Sequence, residues 1–146
     1  MIKVALNNQQ VTHKVDRARL KEGVRRVLSG ELIEKALISL AVVDDETMHR
    51  LNLKHLKHDY PTDVLSFLLE ESDIAIEGEI IISADYAARE AAPFGWTVQD
   101  EMLLYVVHGA LHLAGYDDLE PELKIEMRAK EREYLATFGL TPRYEE

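Results

Sequence analysis

From His108 to Asp118 the chain reads HGALHLAGYDD. Residues four apart on a helix share one face, so His108 and His112 can present both rings to a single ion. Helical geometry would hold both rings in place before any metal arrives. Gly115 comes three residues later, takes positive φ without strain, and can turn the chain so that Asp118 returns toward the rings. Two imidazoles and one carboxylate make a catalytic zinc set with water in the fourth position. Cobalt, nickel or manganese also suit such donors. The expectation is one zinc ion per chain, held by His108, His112 and Asp118. The plain alternative is that the histidines lie on a helix surface and Asp117 and Asp118 merely open a loop. The glycine and the acid at matching spacing weigh toward the metal.

The spacing H-x-x-x-H-x-x-G-x-x-D matches that of metzincin peptidases, with Asp118 where they carry a third His. Peptidases of that kind need a Glu directly after the first His as general base. Position 109 is Gly here, so the peptidase reading lacks its base. Glu101 falls on nearly the same helical face as the histidines. It is read as a solvated first-turn residue that complements the helix dipole, in preference to an acceptor for an imidazole N–H.

The elements that would carry these residues can be read from pattern. Ile2, Val4 and Leu6 alternate as in a short strand. Asp16 is placed to cap a helix with the stripe Leu20, Val24, Val27 and Leu28. Ala36 to Val43 reads as a buried strand. Asp44, Asp45 and Glu46 lead into a helix whose Met48, Leu51 and His55 share a face. Val64 to Leu69 and Gly78 to Ser83 are strands separated by an acidic loop. Ser83 opens a short helix that Pro93 and Gly95 end. Thr97 and Asp100 have capping-box spacing, and the helix they open carries Leu103, Val107, Leu111 and Ala114. Pro121 begins a last helix that is expected to bury Leu123, Met127, Tyr134 and Phe138. The order β-α-β-α-β-β-α-α-α predicts an α/β (α+β) fold. It is a small mixed four-stranded sheet with about five helices packed against it, one domain over 1–146. The third and fourth strands pair antiparallel in this reading, and the strand-helix-strand units favour parallel pairs.

The 146 residues carry no cysteine, which excludes disulfides, thiolate metal sites and cysteine nucleophiles. A net charge of −10 argues against a general nucleic-acid binder, although a local basic patch can survive on an acidic protein. The opening MIKVALNNQQ lacks the pattern of a signal peptide, and no apolar run approaches the roughly 20 residues that span a bilayer. A cytoplasmic location and no membrane partner are expected. Oligomeric state is left open.

HGALHLAGYDD resembles the signature of the YbeY family of bacterial rRNA-maturation factors, H-G-x-L-H-L-x-G-Y-D-H, at every position except Asp118. PTDVLSF at 61–67, the pair Leu51–Asn52 and GEIIIS also resemble that family, in its order and spacing. The resemblance covers nearly the whole chain. It implies a single α/β domain holding zinc through His108, His112 and the residue at 118. It further implies a metal-dependent endoribonuclease that matures the 3′ end of small-subunit rRNA and serves ribosome quality control. The small ribosomal subunit would then be its partner, with ribosomal proteins or an assembly GTPase beside it. The chain departs from the pattern twice. Asp118 replaces a His, adding a negative charge and lowering Lewis acidity at the ion. Leu56 stands where family members usually carry an Arg, four residues after the Asn. Lys54, Lys57, His55 and His58 flank that gap and can supply charge to RNA. They equally suit a solvated helix end.

RNA cleavage needs a nucleophile, charge stabilisation at phosphorus and a proton acceptor. Asp117 and Asp63 are the candidate acceptors. Thr62 and Asp63 also fit a local role, bonding backbone where a turn meets a strand. Three classes remain: a metal-dependent RNA hydrolase, which the resemblance implies, a zinc metalloprotease, which the spacing suggests, and a non-catalytic ribosome-assembly factor with a structural metal. The first is favoured.

Overall fold

The alternating apolar residues at both ends of the chain's first third pair into a sheet. β1 (Ile2–Asn8) runs parallel to β2 (Lys35–Val43), matching Ile2 with Ala36 and Leu6 with Leu40. Between them α1 (Arg17–Gly30) starts at Asp16, whose side chain accepts from Arg19 N. These features are seen in a computed structural model that describes residues 1–142.

After β2, α2 (Asp45–Leu56) is capped by Asp44, whose side chain accepts from Thr47 N. β3 (Val64–Glu71) and β4 (Ala75–Ser83) then form an antiparallel hairpin. β4 also pairs parallel with β2, so the sheet order is β1-β2-β4-β3. The acidic loop expected between Leu69 and Gly78 is largely strand. Glu70 and Glu71 pair with Glu77 and Ile76, leaving only residues 72–74 as the turn. Backbone pairing of Lys35 to Leu37 with Ala75 to Glu77 overrides the polar composition there.

α3 (Ala84–Ala91) follows β4 directly, capped by Ser83, and a single 3₁₀ turn at Ala92–Phe94 contains Pro93. α4 (Val98–Leu113) opens with a complete capping box between Thr97 and Asp100. α5 (Pro121–Ala136) begins at its proline. The sheet and five helices form the mixed α/β arrangement that the pattern predicts.

α4 is the centre of the molecule. Met102, Leu103, Val106, Val107, Ala110 and Leu111 are all fully buried. They share one core with Leu20, Val24, Val27 and Leu28 of α1, the inward face of β2, and Met127 and Leu135 of α5. Among the described residues, the opposite face of the sheet is covered at one end, where Met48 of α2 packs on Val43, Leu65 and Ile81. Close approach of α4 to the sheet needs Gly109, since a Cβ there would lie 2.9 Å from Ile80 Cγ2. Leu123 differs from expectation and is 38% exposed, because α5 buries itself mainly through its second half, at Met127, Glu131, Tyr134 and Leu135. Among the described residues no helix is long and apolar enough to cross a membrane.

Candidate metal centre

With so much of α4 buried, one stripe of it is left to face a cleft. Glu101, Tyr105, His108 and His112 follow each other at spacings of four, three and four, which is one helical face. Two adjoining hollows open on this stripe. One, of about 350 Å³, is lined by Leu56, Asp63, Ser66 and Phe67 together with His108, His112 and Asp118. The other, of about 420 Å³, is lined by Tyr86, Glu90, Glu101, Tyr105 and Glu131, and shares Asp63, His108 and Asp118.

The three expected ligands converge. Nε2 of His108 and Nε2 of His112 are 3.1 Å apart. Asp118 Oδ2 lies 3.6 Å from His108 Nε2, and Oδ1 lies 3.6 Å from His112 Nε2. Metal bonds of about 2.0–2.1 Å in a tetrahedral site put neighbouring donors about 3.3 Å apart. The donor set therefore fits a small transition-metal ion with little rearrangement. Among the described residues it is the group of acids and histidines close enough to do so.

Each ring is held from behind. Nδ1 of His112 donates to the carbonyl of Tyr116 at 3.0 Å, since a carbonyl can only accept. Nδ1 of His108 faces Glu131 Oε2 at 3.5 Å. Both contacts keep the proton on Nδ1 and leave Nε2 as the free donor to a metal, the usual use of such backing groups. Burial works against charge on His108, but Glu131, Asp63 and Asp118 outweigh it and raise its pKa. Burial and the neighbouring His108 lower that of His112, against the pull of Asp118.

The loop from Gly115 to Leu119 brings Asp118 into place. Gly115 takes φ +108°, a left-handed conformation that suits glycine. Tyr116 N bonds back to Leu111 O at 3.0 Å. Asp117 Oδ1 then accepts from the backbone N of Asp118 at 2.7 Å and of Leu119 at 3.1 Å, a tight turn that aims the next carboxylate inward.

The other expected residues distribute unevenly. Asp63 lines both hollows while Oδ1 accepts from Val64 N at 2.8 Å and from the Thr62 hydroxyl at 3.2 Å, so it serves the local turn and faces the cleft at once. Asp117 spends Oδ1 on the loop and lines a separate hollow with Glu31 and Tyr116. Leu56 lines the metal cleft. Lys54, His55, Lys57 and His58 do not line it. His55 rests against Phe67, and His58 stacks on Tyr60, both at 5.2 Å between ring centres.

Two residues were read differently or missed. Glu101 is not solvated: it is 7% exposed, and burial pushes its carboxyl up to about 7 against the opposing effect of the Tyr105 hydroxyl beside it. Its place on the histidine face was legible, but its burial was not, because α3 and α5 supply the cover. Glu131 is 4% exposed behind His108. Its signal was an acid at helical spacing between Met127 and Tyr134, on the one stripe of α5 that must be apolar.

A family model described as "Endoribonuclease YbeY" matches residues 5–139. A protein of that name from Salinibacter ruber is 37% identical over 140 residues, covering 90% of this chain and 89% of the relative. The one from Sulfurovum is 40% identical over 144 residues, covering 94% and 91%. A Thermotoga maritima protein solved in solution superposes with a TM-score of 0.62 at 27% identity, covering 95% of this chain and 92% of its own.

Proposed function

The chain belongs to the YbeY endoribonuclease family, and on that premise we propose that it is a zinc-dependent endoribonuclease that cuts single-stranded RNA. Its substrate in this reading is the 3′ end of small-subunit rRNA, during maturation and in ribosome quality control. The work takes place in the cytoplasm, on the small ribosomal subunit, where ribosomal proteins or an assembly GTPase present the RNA to an acidic enzyme. The observation that carries the reading is the convergence of His108, His112 and Asp118 on one point in an open cleft that Asp63 also lines.

A bound zinc supplies Lewis acidity, lowering the pKa of water and offsetting charge on phosphate oxygens. The chain's own groups do the rest. His108 and His112 hold the ion through Nε2, and Asp118 completes the set with one negative charge. Asp63 has Oδ1 engaged by the turn, which leaves Oδ2 to accept the proton of the attacking hydroxyl. Lys54, Lys57, His55 and His58 lie at the end of α2, around Leu56, and supply phosphate contacts along the strand that enters the cleft.

The peptidase reading is disfavoured by packing as well as by sequence. A Cβ at the position after His108 would lie 2.9 Å from Ile80 Cγ2, so a glutamate base there would force α4 or Ile80 to shift. The test is cleavage of single-stranded and duplex RNA carrying the rRNA 3′ precursor, with casein as the competing substrate and His108→Ala as the control. Cutting of single-stranded RNA that is lost in the control is expected. A metal-loaded protein that leaves RNA intact would sink the nuclease reading in favour of an assembly factor.

A further inference from the structure

Outside the cleft, one side chain from the loop after α4 and two from α5 meet at Glu31, the residue that caps the end of α1. The Tyr116 hydroxyl donates to Glu31 Oε1 at 2.7 Å. The Tyr134 hydroxyl donates to Oε2, and Lys130 Nζ lies 3.5 Å from the same oxygen. The preceding residue is built for this meeting. A Cβ at Gly30 would run into the Tyr134 phenol, so glycine there lets the ring reach the carboxylate. Burial alone would raise the pKa of Glu31, but the two phenols and Lys130 lower it, so the group is a carboxylate at neutral pH.

Tyr116 is what gives this cluster a consequence. Its phenol is fixed by Glu31, and its backbone carbonyl is the acceptor for His112 Nδ1. It also stands two residues before Asp118, on the loop that returns that carboxylate to the histidines. Among the described residues, the side chain of Asp117 ties to the loop itself. Tyr116 is thus the member of this loop whose side chain anchors it to another element by a hydrogen bond.

We infer that Glu31 is a positioning residue for the metal centre, acting through Tyr116 to set the ring of His112 and the approach of Asp118. This rests on the metal reading of the cleft, and not on what the loaded protein cuts. With the anchor released, the loop keeps its fold but its carbonyl and Asp118 sample more positions. The cost appears as weaker metal binding, since groups that back a metal ligand typically contribute about 10–100-fold in affinity.

The experiment is zinc affinity by chelator competition on the full chain, with the melting temperature of each metal-free variant measured alongside. Glu31→Ala and Tyr116→Phe should each weaken zinc by about tenfold. The double variant should lose no more than either single, because both break one link. Tyr134→Phe removes the other phenol from Glu31 and should lower the melting temperature while leaving zinc affinity near that of the unaltered protein. Unchanged affinity in both Glu31→Ala and Tyr116→Phe would overturn the inference, as would losses that add in the double variant. If the unaltered protein takes up no zinc, this inference and the metal reading fall together. If it takes up zinc but leaves RNA intact, only the nuclease reading falls, and the affinity series still decides the role of Glu31.

Discussion

Nε2 of His108 and Nε2 of His112 face each other across 3.1 Å, each with its Nδ1 engaged from behind. Two lone pairs at that distance repel unless a cation or a proton stands between them. Protein purified without chelator should therefore carry about one zinc per chain, and either His108→Ala or His112→Ala should empty it. Elemental analysis checks this; full occupancy in His112→Ala would remove that ring from the site.

Asp118 touches neither ring closely on its own, at 3.6 Å from each, yet offers one oxygen to each side. Asp118→Asn should weaken zinc retention, because a neutral amide is a poor ligand. Asp118→His should keep or raise it. Unchanged affinity in both variants would mean that the carboxylate does not bind the ion.

Leu56 lines the metal cleft where a cation could meet phosphate. Leu56→Arg should tighten RNA binding and steepen its salt dependence, by about 0.7 in the log–log slope for one added contact to a single strand. Lys54→Ala together with Lys57→Ala should weaken binding uniformly across RNA sequences. Titrations at several salt concentrations read both. A flat response to Leu56→Arg would show that RNA takes another route.

Glu101 predicts a dependence of stability on pH. Its folded pKa of about 7 stands above the ordinary 4.5, chiefly because of burial. The folded chain then keeps a proton that the unfolded chain has released, so stability falls as pH rises between those values and stays lower above them. Glu101→Gln removes that loss. Its gain over the unaltered protein should be larger at pH 8 than at pH 5, by about 2 kcal/mol. Urea unfolding at the two pH values decides it, and equal gains would mean that the carboxyl is not held protonated.

Gly109 lets α4 lie close on the sheet. Gly109→Ala brings a Cβ to within 2.9 Å of Ile80 and should cost about 1–3 kcal/mol. Ile80→Val in the same background should recover part of the loss. A neutral Gly109→Ala, measured by chemical denaturation, would mean that the contact relaxes easily and that the residue type at 109 has another reason.

What could be read from sequence alone was what local chemistry decides. The caps at Asp16, Asp44, Ser83 and Thr97 are short-range hydrogen bonds and sit where their residue types suggested. The convergence of His108, His112 and Asp118 was legible because helix spacing and one glycine bring them together. Placement of β4 between β2 and β3 was not legible, since it depends on pairing between residues some forty apart. Neither was the burial of Glu101 and Glu131, where the type of the residue points outward and only the neighbouring helices reverse it. Leu123 is the converse, an apolar residue left 38% exposed on the first turn of α5, where it borders a hollow and not the core.

Both histidines stand on a helix whose place is secured by the core, with Val106, Val107, Ala110 and Leu111 around them at 0% exposure. The cost of ordering the two rings is thus met by apolar packing, with no ion needed for it. In small zinc modules, by contrast, metal uptake and folding are a single event. Here the two should be separable, so that the metal-free chain stays folded and a site at His108, His112 and Asp118 can be emptied and refilled. The occupant of such a receptor would be chosen among the transition metals that two imidazoles and a carboxylate suit, by site geometry and by supply together.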